Sequence, residues 1–176
     1  MKGFIFITVL LLLSTVSFTH VSATLEGGSG GGGGCTYIHY EDATDWADNI
    51  QYKLHNNTYE ERIESARDLW NAKSPVVISE DTIWTAIDLD FYDEYLTGAT
   101  YAAYYNYDEG DNPEIVFNIV NMLTLNGTAR DNVVRHEIGH AVGLHHHYIS
   151  GNIMYYAVSL QVDFGSTDDL CYATRW

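Results

Sequence analysis

The stretch from Asp131 to Tyr156 (DNVVRHEIGHAVGLHHHYISGNIMYY) limits what this chain can fold into more than any other part of it. His136 and His140 stand four residues apart, so a helix through them carries both rings on one face, about one turn apart. Val133, Val134, Ile138, Ala141, Val142 and Leu144 surround them with apolar surface, which predicts a helix docked in a core, with Asp131 or Thr128 as its cap. Gly143 follows His140 by three residues, where a left-handed backbone ends a helix without a Cβ clash. The chain is then expected to double back and bring His146 to the two helical rings.

Two imidazoles make an incomplete metal site, whereas three nitrogen donors and an open position are what a catalytic zinc ion takes. His136, His140 and His146 are the expected ligands of one Zn2+ ion. His145 and His147 flank the third ligand, and the spacing favours His146. Glu137 is badly placed to complete the metal shell and well placed to take a proton from a water there. A metal that polarises both that water and a carbonyl, beside a free carboxylate, points to peptide-bond hydrolysis without a covalent intermediate. The competing reading is a set of satisfied core histidines, which normally wins for a single His.

Met1-Lys2, the apolar run Phe4–Leu13 and the small residues Val21-Ser22-Ala23 read as a secretory signal over residues 1–23. The run is short for a bilayer span of about 20 residues, so no stable membrane insertion is expected after cleavage. Residues 24–34 (TLEGGSGGGGG) form a Gly-rich flexible leader, and the catalytic domain is expected over 35–176. The expected location is extracellular and the expected state a monomer. Cys35 and Cys171, the only cysteines, sit at opposite ends of that domain, in a compartment where disulfides persist. A bridge between them is the first expectation, with two free thiols or a Cys35 thiolate on the metal as alternatives.

The chain is 46% hydrophobic and 18% charged, which excludes a disordered chain or a coiled coil. Acidic residues outnumber basic ones 24 to 8, for a formal charge of −16, and this argues against a nucleic-acid partner. Tyr59–Ala72 places Ile63, Ala66, Leu69 and Trp70 on one helical stripe. Val76–Ile78, Thr82–Leu89, Ala99–Tyr107 and Glu114–Asn121 read as strands. The order is that of an α+β (mixed α/β) domain with helices on a sheet. The acidic turn Asp108–Asp111 offers oxygen ligands for a Ca2+ ion, although turns are commonly acidic and no metal-loop spacing is present. Asn56 and Asn126 begin glycosylation-type triplets.

His136 to His146 resembles the zinc-binding signature of the metzincin metalloproteases, and Gly151-Asn152-Ile153-Met154-Tyr155 resembles their Met-turn. Met154 follows His146 by eight residues, the short interval of the matrixin-like branch, and Gly165–Leu170 is similar to the segment opening the last matrixin helix. The resemblance implies a zincin fold: a twisted, mostly parallel sheet with two long helices, and a small C-terminal subdomain with a final helix. It implies a peptide or protein substrate, Met154 as a hydrophobic floor under the ligands, and Glu114–Asn121 as the sheet edge that pairs with substrate. The chain departs from the pattern at His147, where matrixins usually carry Ser, and the usual cysteine-switch sequence is not seen. A catalytically silent zinc- or protein-binding module on the same scaffold is the alternative function.

Overall fold

β1 (Asn49–His55) alternates Ile50, Tyr52 and Leu54 with Gln51, Lys53 and His55, the period-two pattern of a strand covered on one face. Ile50 and Tyr52 are buried beneath α1 (Glu60–Asn71), whose own buried stripe is Ile63, Ala66 and Trp70. The computed structural model describes residues 35–38, 42–107 and 111–176. The expected signal and leader, and Asp108, Glu109 and Gly110 of the calcium candidate, lie outside the described residues.

Four further strands follow: β2 (Val77–Glu80), β3 (Leu89–Glu94), β4 (Ala103–Asn106) and β5 (Glu114–Asn118). They form one five-stranded sheet in the order β2-β1-β3-β5-β4. β1 pairs in parallel with β2 and β3, β3 pairs in parallel with β5, and only β4 runs antiparallel to its neighbour. The short α2 (Ile119–Met122) leads into α3 (Gly127–Ala141), which packs against α1 and β4. α4 (Ser166–Arg175) closes the chain. This is the expected mixed α/β class, with a mostly parallel sheet.

Three strand expectations change, and the one over Ala99–Tyr107 is confined to Ala103–Asn106. Thr82–Leu89 is mostly a loop, and the strand starts at Leu89. The Asp88 carboxylate accepts from the backbone of Gln51, while Thr85 and Thr82 bond within the loop, so local side chains take the place of a ladder. The strand expected over Glu114–Asn121 ends at Asn118, whose side chain accepts from Val120 N–H and turns the chain into α2. Nor is it an edge. Ile115, Val116, Phe117 and Asn118 are all buried because β5 lies between β3 and β4, which makes β4 the outer strand on that side among the described residues.

α3 begins earlier than expected. Its cap is Asn126, whose side chain accepts from Ala129 N–H at 2.9 Å, while Asp131 lies inside the helix and pairs with Arg62. Below α3, Trp70 donates its indole N–H to the Arg135 carbonyl and packs edge-on against Phe164. Cys35 and Cys171 form a disulfide that ties the first described residues to α4. No helix among the described residues is long and apolar enough to cross a membrane.

Candidate metal centre

His136 and His140 project from one face of α3 near its C-terminal end, and both are buried among the apolar residues that dock the helix. Gly143 has φ +88°, a backbone conformation that side-chain-bearing residues rarely adopt. The helix ends there, with Leu144 N–H returning to the Gly139 carbonyl. The segment after the turn brings His146 back, and the Nε2 atoms of the three rings then lie 2.9 to 3.1 Å apart.

That geometry suits a cation. The His136 Nδ1–H donates to the Ile153 carbonyl at 2.8 Å, and the His140 Nδ1–H donates to the Leu144 carbonyl at 2.7 Å. A carbonyl can only accept, so in each neutral ring the Nε2 carries a lone pair. Burial lowers the His136 pKa to about 4, and burial together with the neighbouring imidazoles holds His140 well below its ordinary value. These two rings are therefore held as neutral donors, with their Nε2 atoms facing that of His146. Zinc–nitrogen bonds of about 2.0–2.1 Å in a tetrahedral arrangement place ligand nitrogens roughly 3.3 Å apart, close to the separations here. The donor set fits a zinc ion, and His136, His140 and His146 form a group that could hold one.

Glu137 is fully buried, and neither carboxylate oxygen makes a hydrogen bond of normal geometry. Burial drives its pKa well above the ordinary value and outweighs the Tyr105 backbone N–H, which works the other way. A buried carboxyl without a partner is costly unless something outside the protein completes its surroundings. Tyr105 belongs to the β4 edge, and its ring lies 6.4 Å from that of His140, so the edge strand borders the same site.

Met154 is buried under the helix, and the absence of a side chain at Gly139 is what allows this: a Cβ there would overlap the Met154 sulfur and lie 2.9 Å from Trp70. Three residues absent from the sequence-based site hold its surroundings. Asn132 donates to the Gln161 carbonyl and accepts from Ser159 N–H, and Arg135 bonds the Val162 carbonyl, so the loop after Met154 is pinned to α3. Asp168, in the segment already noted as opening the last helix, accepts from Ile153 and Met154 N–H and from His147. Asn132 and Arg135 carry no motif, and only their place on the helix facing that loop marks them.

No family model matches the sequence, and no curated protein matches it. Among solved structures, the chain is similar to high choriolytic enzyme 1, a hatching-enzyme zinc-protease from Oryzias latipes (medaka fish). The identity is 19% and the TM-score 0.40, with 58% of this chain and 48% of that chain covered. It is also similar to the GM1-bound form of the ECX AB5 holotoxin, at 14% identity and a TM-score of 0.46, with 73% of this chain and 72% of that chain covered. The chain thus spans about half the length of the hatching enzyme. A mostly parallel five-stranded sheet and three convergent histidines on a buried helix and the turn after it are what the resemblance of the sequence motif implies.

Proposed function

We propose that the chain is a secreted zinc endopeptidase of the matrixin-like kind, with His136, His140 and His146 as metal ligands and Glu137 as general base. The observation that carries this reading is the convergence of three imidazole nitrogens within 3.1 Å, with a fully buried carboxyl on the same helical turn. Zinc held there by the three histidines would supply Lewis-acid polarisation of a peptide carbonyl and activate an attacking water. Glu137 accepts the proton from that water and passes it to the leaving amine, a role suited to a carboxyl whose burial has raised its proton affinity. β4 is the outer strand on the side of the sheet that borders the site, and an extended peptide would align along Ala103–Asn106 across the helix. The loop 157–164, pinned by Asn132 and Arg135, would form the wall for the residue after the scissile bond.

The test is cleavage of a peptide library, read by mass spectrometry, with added zinc, with a chelator, and with the Glu137→Gln variant. The expected result is one zinc per chain in both proteins, chelator-sensitive cleavage by the native chain, and a loss of at least about 10²-fold in the variant. Equal cleavage by both proteins would overturn the mechanism. Zinc uptake without cleavage of any peptide would instead identify a silent binding module.

A further inference from the structure

His147 directly follows the third candidate ligand, and the two rings diverge. The His146 Nε2 faces the other two imidazoles, whereas the buried His147 sends its Nε2 to the Asp168 carboxylate at 3.0 Å. Consecutive side chains in an extended segment point to opposite sides, so fixing one ring fixes the direction of the other. His147 also anchors the segment through its backbone, with its N–H donating to the Met154 carbonyl and its carbonyl accepting from Tyr156 N–H.

Asp168 is fully buried and accepts four hydrogen bonds. Oδ1 takes His147 and Met154 N–H (3.1 Å), while Oδ2 takes Ile153 N–H (2.6 Å) and Gly165 N–H (2.9 Å). The Ile153 carbonyl is the acceptor that orients His136. One carboxylate on α4 therefore reaches two of the three ligand rings, His136 through Ile153 and His146 through His147. Among the described residues the buried His147 Nδ1 has no partner, and the bond to Asp168 is the one hydrogen bond its ring makes. A ring chosen only to fill space would not leave a polar nitrogen unmatched.

We propose that His147 is a positioning residue: its bond to Asp168 holds His146 in the orientation that completes the three-nitrogen site. This rests on the metal-site reading above. The test uses the full chain loaded with cobalt(II) as a spectroscopic substitute, together with zinc affinity measured by competition with a chelating dye. In His147→Leu the donor is lost, and zinc affinity should fall about 10- to 100-fold with a change in the cobalt visible bands. In His147→Gln the amide nitrogen reaches about as far as Nε2, so both readouts should return toward the native values. His147→Asn, whose amide falls short, should behave like the Leu variant, and the Gln and Asn pair decides the matter if the Leu variant does not fold. Native affinity and bands in the Leu and Asn variants, or equal losses in Gln and Asn, would overturn the proposal. A native chain that takes up neither zinc nor cobalt would instead overturn the metal-site reading on which it rests.

Discussion

Asp168 shows how much a single buried side chain organises here, and its ionisation gives that role a pH signature. Burial pushes its carboxyl up, but His147 and the N–H groups of Gly165, Met154 and Ile153 together outweigh that and hold it below its ordinary value of 3.8. A carboxyl with a depressed folded pKa contributes stability that is fully present above its unfolded value and is lost as pH falls through the folded one. Asp168→Asn should therefore cost about 3–5 kcal/mol at pH 6, as expected when one member of a buried pair is removed. The gap between variant and native chain should narrow as pH falls below about 3.8. Urea melts of both proteins at pH 6 and pH 3, with chelator present throughout, measure this, and an unchanged gap would mean that the charge of Asp168 is not what stabilises. The convergence of the three histidines was legible from spacing, because one helical turn and one glycine-ended bend leave little freedom. The partners of Asp168 were not legible, because they are backbone groups brought together by tertiary packing.

At the level of elements, the turn that carries His146 is braced by the first described residues. His145 N–H donates to the Thr36 carbonyl, Ile38 N–H to the Gly143 carbonyl, and Tyr37 forms an antiparallel bridge with Leu144. The Cys35–Cys171 bond fastens this strap to α4, closing a separation of 136 residues. Replacing both cysteines with Ser should lower stability by about 2–5 kcal/mol. It should also speed amide exchange at Ile38 and His145 ahead of the sheet, as hydrogen exchange with mass spectrometry would show. Uniform exchange across the chain would mean that the strap holds without the bond. The two cysteines were readable as a pair because no others compete. The sheet was less readable. β1 has clear alternation in Ile50, Tyr52 and Leu54, a signal sufficient to find it that the sequence reading passed over. The apolar residues of Thr82–Leu89 resembled a strand, yet Ile83 and Trp84 are 88% and 87% exposed, because Asp81, Thr85 and Asp88 hold that segment as a crossing loop. Which strand forms the edge depends on pairing order, which local pattern does not encode.

Across the whole molecule, the formal charge of −16 is the largest long-range feature, and it reaches the β4 side of the sheet. Asp90, Asp111 and Glu114 line a hollow of about 330 Å³ there, together with Tyr92, Asn106 and Asn112. Asn106 ends the strand proposed to align substrate, so the negatively charged hollow adjoins one end of that strand. Summed charge of one sign raises the local concentration of oppositely charged ligands and the rate of encounter, and salt screens it over roughly 8 Å at physiological ionic strength. Peptides rich in Lys and Arg should therefore be cleaved with a kcat/KM that falls about tenfold as salt rises from roughly 0.05 to 0.5 M, while kcat stays constant. A neutral peptide with the same scissile bond should show little change, because contacts at the bond are short-ranged and shielded from ions. Matched steady-state kinetics on the two peptides separate the cases. A salt effect of equal size on both would locate the dependence in the fold or the metal centre, and no effect on either would show that the acidic surface takes no part in substrate capture.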